Sequence, residues 1–227
     1  LTEGLCNIAI GPNAHGSSTC NCYNIAIGVN ALATTVYNNL AHDNIAIGRY
    51  ALGCALVVAG GNLALGWNAL TDTTSAYHNV ALGEESGNSI TTGFRGVYIG
   101  ACAGSCATTG CYNIAIGYLA MGCASVTTGH NNVAVGHLSH IAMLGGNCNI
   151  AIGKSAGAGV TTGCVNVAIG NAALSGGVVT GSCNIAIGET AMDALTSGAN
   201  NIALGLNALG ASTDGADNIA IGRSAFA

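Results

Sequence analysis

Five residues, Asn-Ile-Ala-Ile-Gly, return in near-identical form thirteen times along this chain, and no other feature narrows its possible folds as sharply. The phrase ends on Gly11, Gly28, Gly48, Gly66, Gly83, Gly100, Gly117, Gly136, Gly153, Gly170, Gly188, Gly205 and Gly222, at intervals of 17 to 20 residues. A segment that short cannot enclose a core of its own, so each copy is one coil of a stack completed by its neighbours. The expected fold is all-β: a parallel β-solenoid, or β-roll, of about thirteen coils with 17–20 residues per coil. It forms a single domain over residues 1–227.

Counted from the repeat glycine as zero, position −4 is Asn in twelve copies, with Gly96 the exception. Positions −3 and −1 are always Ile, Leu or Val, and −2 is Ala in twelve copies, with Tyr98 the exception. Aliphatic, small, aliphatic is a period of two and marks a strand. The reading of this alternation places the branched aliphatics inside. It sets Ala9, Ala26, Ala46, Ala64, Ala81, Ala115, Ala134, Ala151, Ala168, Ala186, Ala203 and Ala220 outward as a packing strip for a partner. Asn7, Asn24, Asn44, Asn62, Asn79, Asn113, Asn132, Asn149, Asn166, Asn184, Asn201 and Asn218 would then stack as an amide ladder along the axis. Position +4 is often Leu, Met or Phe, which suggests a second short limb, followed by a Thr-Thr-Gly return such as Thr91-Thr92-Gly93.

Composition removes several classes of function. Four Lys and Arg against nine Asp and Glu leave a net charge of −5, which excludes a basic stripe for nucleic acid. Charged residues are 6% of the chain, against about 25% in ordinary domains. The apolar stretch at 50–67 has the length of a membrane span. It is interrupted by four glycines and contains a repeat copy in register, so membrane insertion is not expected.

The phrase Asn-Ile-Ala-Ile-Gly-x-x-Ala, as at Ile25, Ala26, Ile27, Gly28 and Ala31, resembles the head repeat of trimeric autotransporter adhesins of the YadA-like type. It is also similar to repeats of bacteriophage tail-fibre-like proteins. The resemblance covers nearly the whole chain, although the adhesin repeat is shorter. It implies a left-handed β-roll, a trimer, and display on a cell or virion surface.

No catalytic constellation and no cofactor site emerge from the pattern. His130, His137 and His140 fall on different sides of one coil and make a poor metal site. Glu84-Glu85 reads as a solvated turn. The glycine phrases precede returns, not helices, and are no dinucleotide fingerprint. Eleven cysteines fall partly into columns, so Cys106–Cys123 or Cys106–Cys111, and Cys148–Cys164 or Cys164–Cys183, are within reach of disulfide formation. The variable +1 column, including Arg49, Trp67, Tyr118 and His137, is a place where a glycan or surface receptor could bind.

The expected function is structural and not enzymatic: a self-associating building block of an extracellular fibre. Its partners are copies of itself, as a trimer or a head-to-tail filament in which Gly222 and the next Gly11 stand 16 residues apart. A surface adhesin or tail-fibre segment is the second reading. An ice-binding protein is the third, weakened because adjacent Thr residues point to opposite faces.

Overall fold

The computed structural model describes residues 5–16, 21–33, 41–53, 60–122 and 127–227. Among them it contains thirteen three-residue strands, all pairing in parallel, and no helix. The protein is therefore an all-β parallel β-solenoid. The coils fall into two compact units, Leu1–Tyr112 and Asn113–Ala227. The first holds β1 (Ile8–Ile10), β2 (Ile25–Ile27), β3 (Ile45–Ile47), β4 (Leu63–Leu65), β5 (Val80–Leu82) and β6 (Val97–Ile99). The second holds β7 (Ile114–Ile116), β8 (Val133–Val135), β9 (Ile150–Ile152), β10 (Val167–Ile169), β11 (Ile185–Ile187), β12 (Ile202–Leu204) and β13 (Ile219–Ile221).

Within each unit the repeat period sets the register. Ile8 lies over Ile25 and Ala9 over Ala26, while Val167 lies over Ile150. Coils inside a unit bond to the coils on either side, as where the Ile25 N–H donates to the Asn44 carbonyl and the Gly28 N–H to the Ile10 carbonyl, both at 2.8 Å. The repeat glycine closes the strand with φ between +120° and +143°. No L side chain adopts that region readily. A Cβ at Gly28 would also stand 2.7 Å from the Gly48 carbonyl oxygen, so coil stacking and turn geometry both demand glycine.

After the turn, alternate residues take left-handed conformations. Leu32, Leu52, Leu70, Leu174 and Leu209 at +4 have φ of 48° to 54° and are fully buried. This bend swings the +4 side chain into the coil. No Ile, Val or Thr occupies +4 in any copy, in keeping with the cost of φ > 0 for β-branched residues.

The interior reverses the expectation from alternation. Ala26, Ala46, Ala64, Ala81, Ala115, Ala134, Ala151, Ala168, Ala186, Ala203 and Ala220 point inward and are at most 3% exposed. Only Ala9 of that column, in β1, is exposed. The physical reason is thickness. The return limb delivers Leu or Met at +4 and Ala at +3 into the same space, so the strand opposite has room for a methyl group only. In the second unit, Ala168, Ala173, Leu174, Ala186, Ala191 and Met192 belong to one buried cluster. The Ala column is the core, not a packing strip.

The two exceptions in the repeat are one feature. Tyr98 fills the interior in place of Ala and is fully buried. A Cβ on Gly96 would stand 2.5 Å from its hydroxyl oxygen, and one on Gly104 would collide with its ring. Gly87 also borders the ring and is crowded by Leu70 and Ile90. A large residue thus enters where the +4 side chains of two coils and one ladder amide have been deleted. His140, buried at +4, repeats the device: a Cβ on Gly157 in the next coil would strike its ring.

Candidate functional site: an outward aliphatic ribbon

With Ala inside, the strand residues at −3 and −1 face out. Each coil contributes two of them, and in thirteen coils neither position holds a polar residue. Most are half-buried by their own neighbours, and several keep more of their surface in solvent, including Leu65 (45%), Ile150 (38%) and Ile152 (41%). The backbone beneath them is already paired in the ladder, so what these side chains present is an apolar surface with a regular rung spacing of about 4.8 Å. Monomeric proteins rarely expose contiguous apolar area of this extent.

The amide ladder runs beside the ribbon, on the buried side. Asn44 donates from its backbone N–H (2.9 Å) and its Nδ2 (3.2 Å) to Asn24 Oδ1. The same pattern links Asn62 to Asn44 and Asn79 to Asn62, then Asn132 through Asn218 in the second unit. Most Nδ2 groups also reach a backbone carbonyl of the following coil, as from Asn149 to Gly163 at 2.8 Å. Gly96, lacking the amide, still donates its N–H to Asn79 Oδ1 at 2.8 Å. The ladder therefore fixes where each strand begins, and hence which residues of the next coil face out.

The −6 position carries a second side-chain ladder that the repeat pattern did not reveal. Its backbone N–H is met by the −6 side chain of the next coil: Leu5 by Cys22 Sγ, His130 by Asn147 Oδ1, Asn147 by Cys164 Sγ and Cys164 by Ser182 Oγ, at 2.8 to 3.4 Å. Cys, Asn and Ser share one property here, an acceptor atom two bonds from Cα or nearly so. That common role accounts for Cys22 and Cys164. Cys148, Cys164 and Cys183 carry no disulfide, and the Cys164 thiol also donates to the Thr162 carbonyl at 3.5 Å. The expected Cys148–Cys164 and Cys164–Cys183 bridges are not formed: Cys164 stands at −6 with its sulfur on the backbone, whereas Cys148 and Cys183 stand at −5 and are exposed. Cys111 is buried and donates to the Thr109 carbonyl at 3.4 Å. Cys123 lies outside the described residues.

The remaining candidates do not converge. His140 is inside, with its Nδ1 unpartnered, and burial lowers its pKa to about 4. His130 and His137 are exposed, the latter stacked on Tyr118 in the +1 column with ring centres 5.6 Å apart. Glu84 is exposed, whereas Glu85 accepts from the Cys102 thiol at 3.7 Å. Among the described residues no helix is long and apolar enough to cross a membrane.

Compared with family models, with curated proteins and with solved structures, the chain matches none.

Proposed function

We propose that the protein is a structural element whose coils pack side by side with copies of the same chain through the aliphatic ribbon, as a unit of a fibre at a cell or virion surface. The observation that carries this reading is the choice of side chains on the two faces of one strand. Alanine would satisfy the core, and any soluble residue would satisfy an exposed face, yet the outward positions are Ile, Val or Leu in every coil.

The partner is argued from periodicity. A row of branched side chains about 4.8 Å apart is filled without voids only by a surface with the same rung spacing. Another copy of this solenoid has it by construction. Each CH₂ removed from water contributes about 0.8 kcal/mol, so six or seven rungs pressed together supply far more than association entropy costs.

Sedimentation of the full chain across a concentration series tests the reading. Association is expected, and replacing Ile150, Ile152, Val167 and Ile169 by Thr, which retains strand propensity, should shift the equilibrium to monomer. A wild-type chain that stays monomeric at high micromolar concentration contradicts it.

A further inference from the structure

Three of the chain's ten aromatic residues stand at one corner of the first unit, at −6 and −5 of consecutive coils. Tyr77 and Phe94 stack with ring centres 4.8 Å apart and planes 3° from parallel. Tyr112 turns 76° out of that stack at 5.3 Å from Phe94, and His78 stands edge-on to Tyr77. Arg95 lies against the group, its guanidinium carbon 5.9 Å from the Phe94 ring centre and 5.6 Å from that of Tyr112. Its Nη1 donates to the Tyr112 hydroxyl at 2.7 Å. Tyr77 and Tyr112 remain 36% and 44% exposed.

Nothing in the coil requires this arrangement. The same corner holds Ala199 and Asn200 or Ala216 and Asp217 in other coils without change of backbone. What distinguishes it chemically is a cation with its charge unanswered. Among the described residues no carboxylate lies within salt-bridge distance of Arg95, and none of the residues at −6 and −5 of these three coils is acidic. The ring contacts and the tyrosine hydroxyl hold the exposed guanidinium in place, and its other N–H donors can take an acceptor with little ordering left to do.

We propose that this corner binds an acidic polysaccharide, a chain of hexuronate units. The recognition has two parts. The guanidinium takes the carboxylate in a charge-assisted, two-pronged hydrogen bond. The exposed tyrosine rings take the C–H face of a pyranose, which is apolar on the side away from its hydroxyls. The rise per coil, about 4.8 Å, is close to the length of one pyranose unit, so successive sugars meet successive coils. A nucleic acid would need several cations along its phosphates, and this corner offers one. The site uses none of the ribbon's side chains, so the proposal does not rest on self-association.

Calorimetric titration of the full chain with polygalacturonate and with dextran tests the proposal. The charged polymer is expected to bind and the neutral one not to. Arg95→Gln should weaken binding about tenfold, and Tyr77→Ala with Tyr112→Ala should abolish it. Both variants change exposed side chains, so melting temperature and sedimentation should stay those of the wild type. Equal binding of both polymers, binding of neither, or unchanged affinity in Arg95→Gln overturns the assignment. So does an altered sedimentation profile of Arg95→Gln without polymer, because the corner would then be a contact between copies.

Discussion

The coil that carries β6 and the coils that carry β10 to β12 solve the same packing problem with different side chains. In the latter, Ala168, Ala186 and Ala203 face Leu174, Met192 and Leu209 across the interior. Around β6 the interior instead holds Tyr98, admitted by Gly87, Gly96 and Gly104. Three inward consensus positions, −4, −2 and +4, have changed there while Ala103 keeps +3, and yet the outward pair is Val97 and Ile99, as aliphatic as anywhere else. Inside, volume is conserved over a group of adjacent coils and individual residues are free to exchange. Outside, residue type is conserved coil by coil. The outward aliphatics therefore answer a demand separate from filling the core, and packing against a copy is such a demand.

The exchange of volume around Tyr98 gives the largest effect. Tyr98→Ala should cost about 3–5 kcal/mol, because the three glycines leave the space unfilled. Restoring the consensus around it, with Gly96→Asn, Gly87→Leu and Gly104→Leu added, should return most of that stability in thermal melts. Failure of the combined variant to recover would mean that interior volume is not exchanged between coils.

His140 offers a second instance with a pH signature. Its pKa falls from an ordinary 6.5 to about 4 because burial disfavours the charged ring. A group whose cation is disfavoured in the folded state contributes no penalty above the unfolded pKa. Stability should thus be level above about pH 6.5 and fall by about 3 kcal/mol as pH drops to 4. His140→Leu, which restores the column's usual residue, should flatten that slope in denaturant titrations.

The amide ladder sharpens the contrast from another side. Asn149 accepts the Asn166 N–H at 2.9 Å and donates to Gly163, so Asn149→Ala strands two buried backbone groups. The expected loss is about 1–3 kcal/mol by chemical denaturation. The smallest effect is the most discriminating. Under dissociating conditions, adding carbon inside with Ala168→Leu should destabilise by about 1–3 kcal/mol through overpacking. Removing carbon outside with Ile169→Ala should cost only about 1 kcal/mol, since the side chain is already partly in water. The reverse order would mean that the faces have been exchanged.

Much of this architecture was legible in the residues. The spacing of glycines gives the coil, its register and the stacking of Asn44 on Asn24. Periodicity also separates the two faces of each strand. It does not say which is inner, because Ile-Ala-Ile alternates identically either way. The deciding information lies in Leu32 and its equivalents, whose left-handed backbone turns a large side chain inward and leaves room opposite for Ala26 alone. That conformation has only a faint sequence mark, the absence of β-branched residues at +4. The −6 contacts were hidden because Cys22, Asn147 and Ser182 look unrelated until their shared acceptor is seen. The aromatic corner did leave a trace: Tyr77 and Phe94 are 17 residues apart, one period.

Along the strands Ala faces in and the branched aliphatics face out. Methyl resonances of Ala151 and Ile152, recorded with a soluble paramagnetic chelate at low protein concentration, test it in adjacent residues. Strong broadening of Ile152 with Ala151 protected, and loss of the Ile152 broadening as concentration rises, is the expected result. Broadening of Ala151 with Ile152 protected throughout would contradict the account.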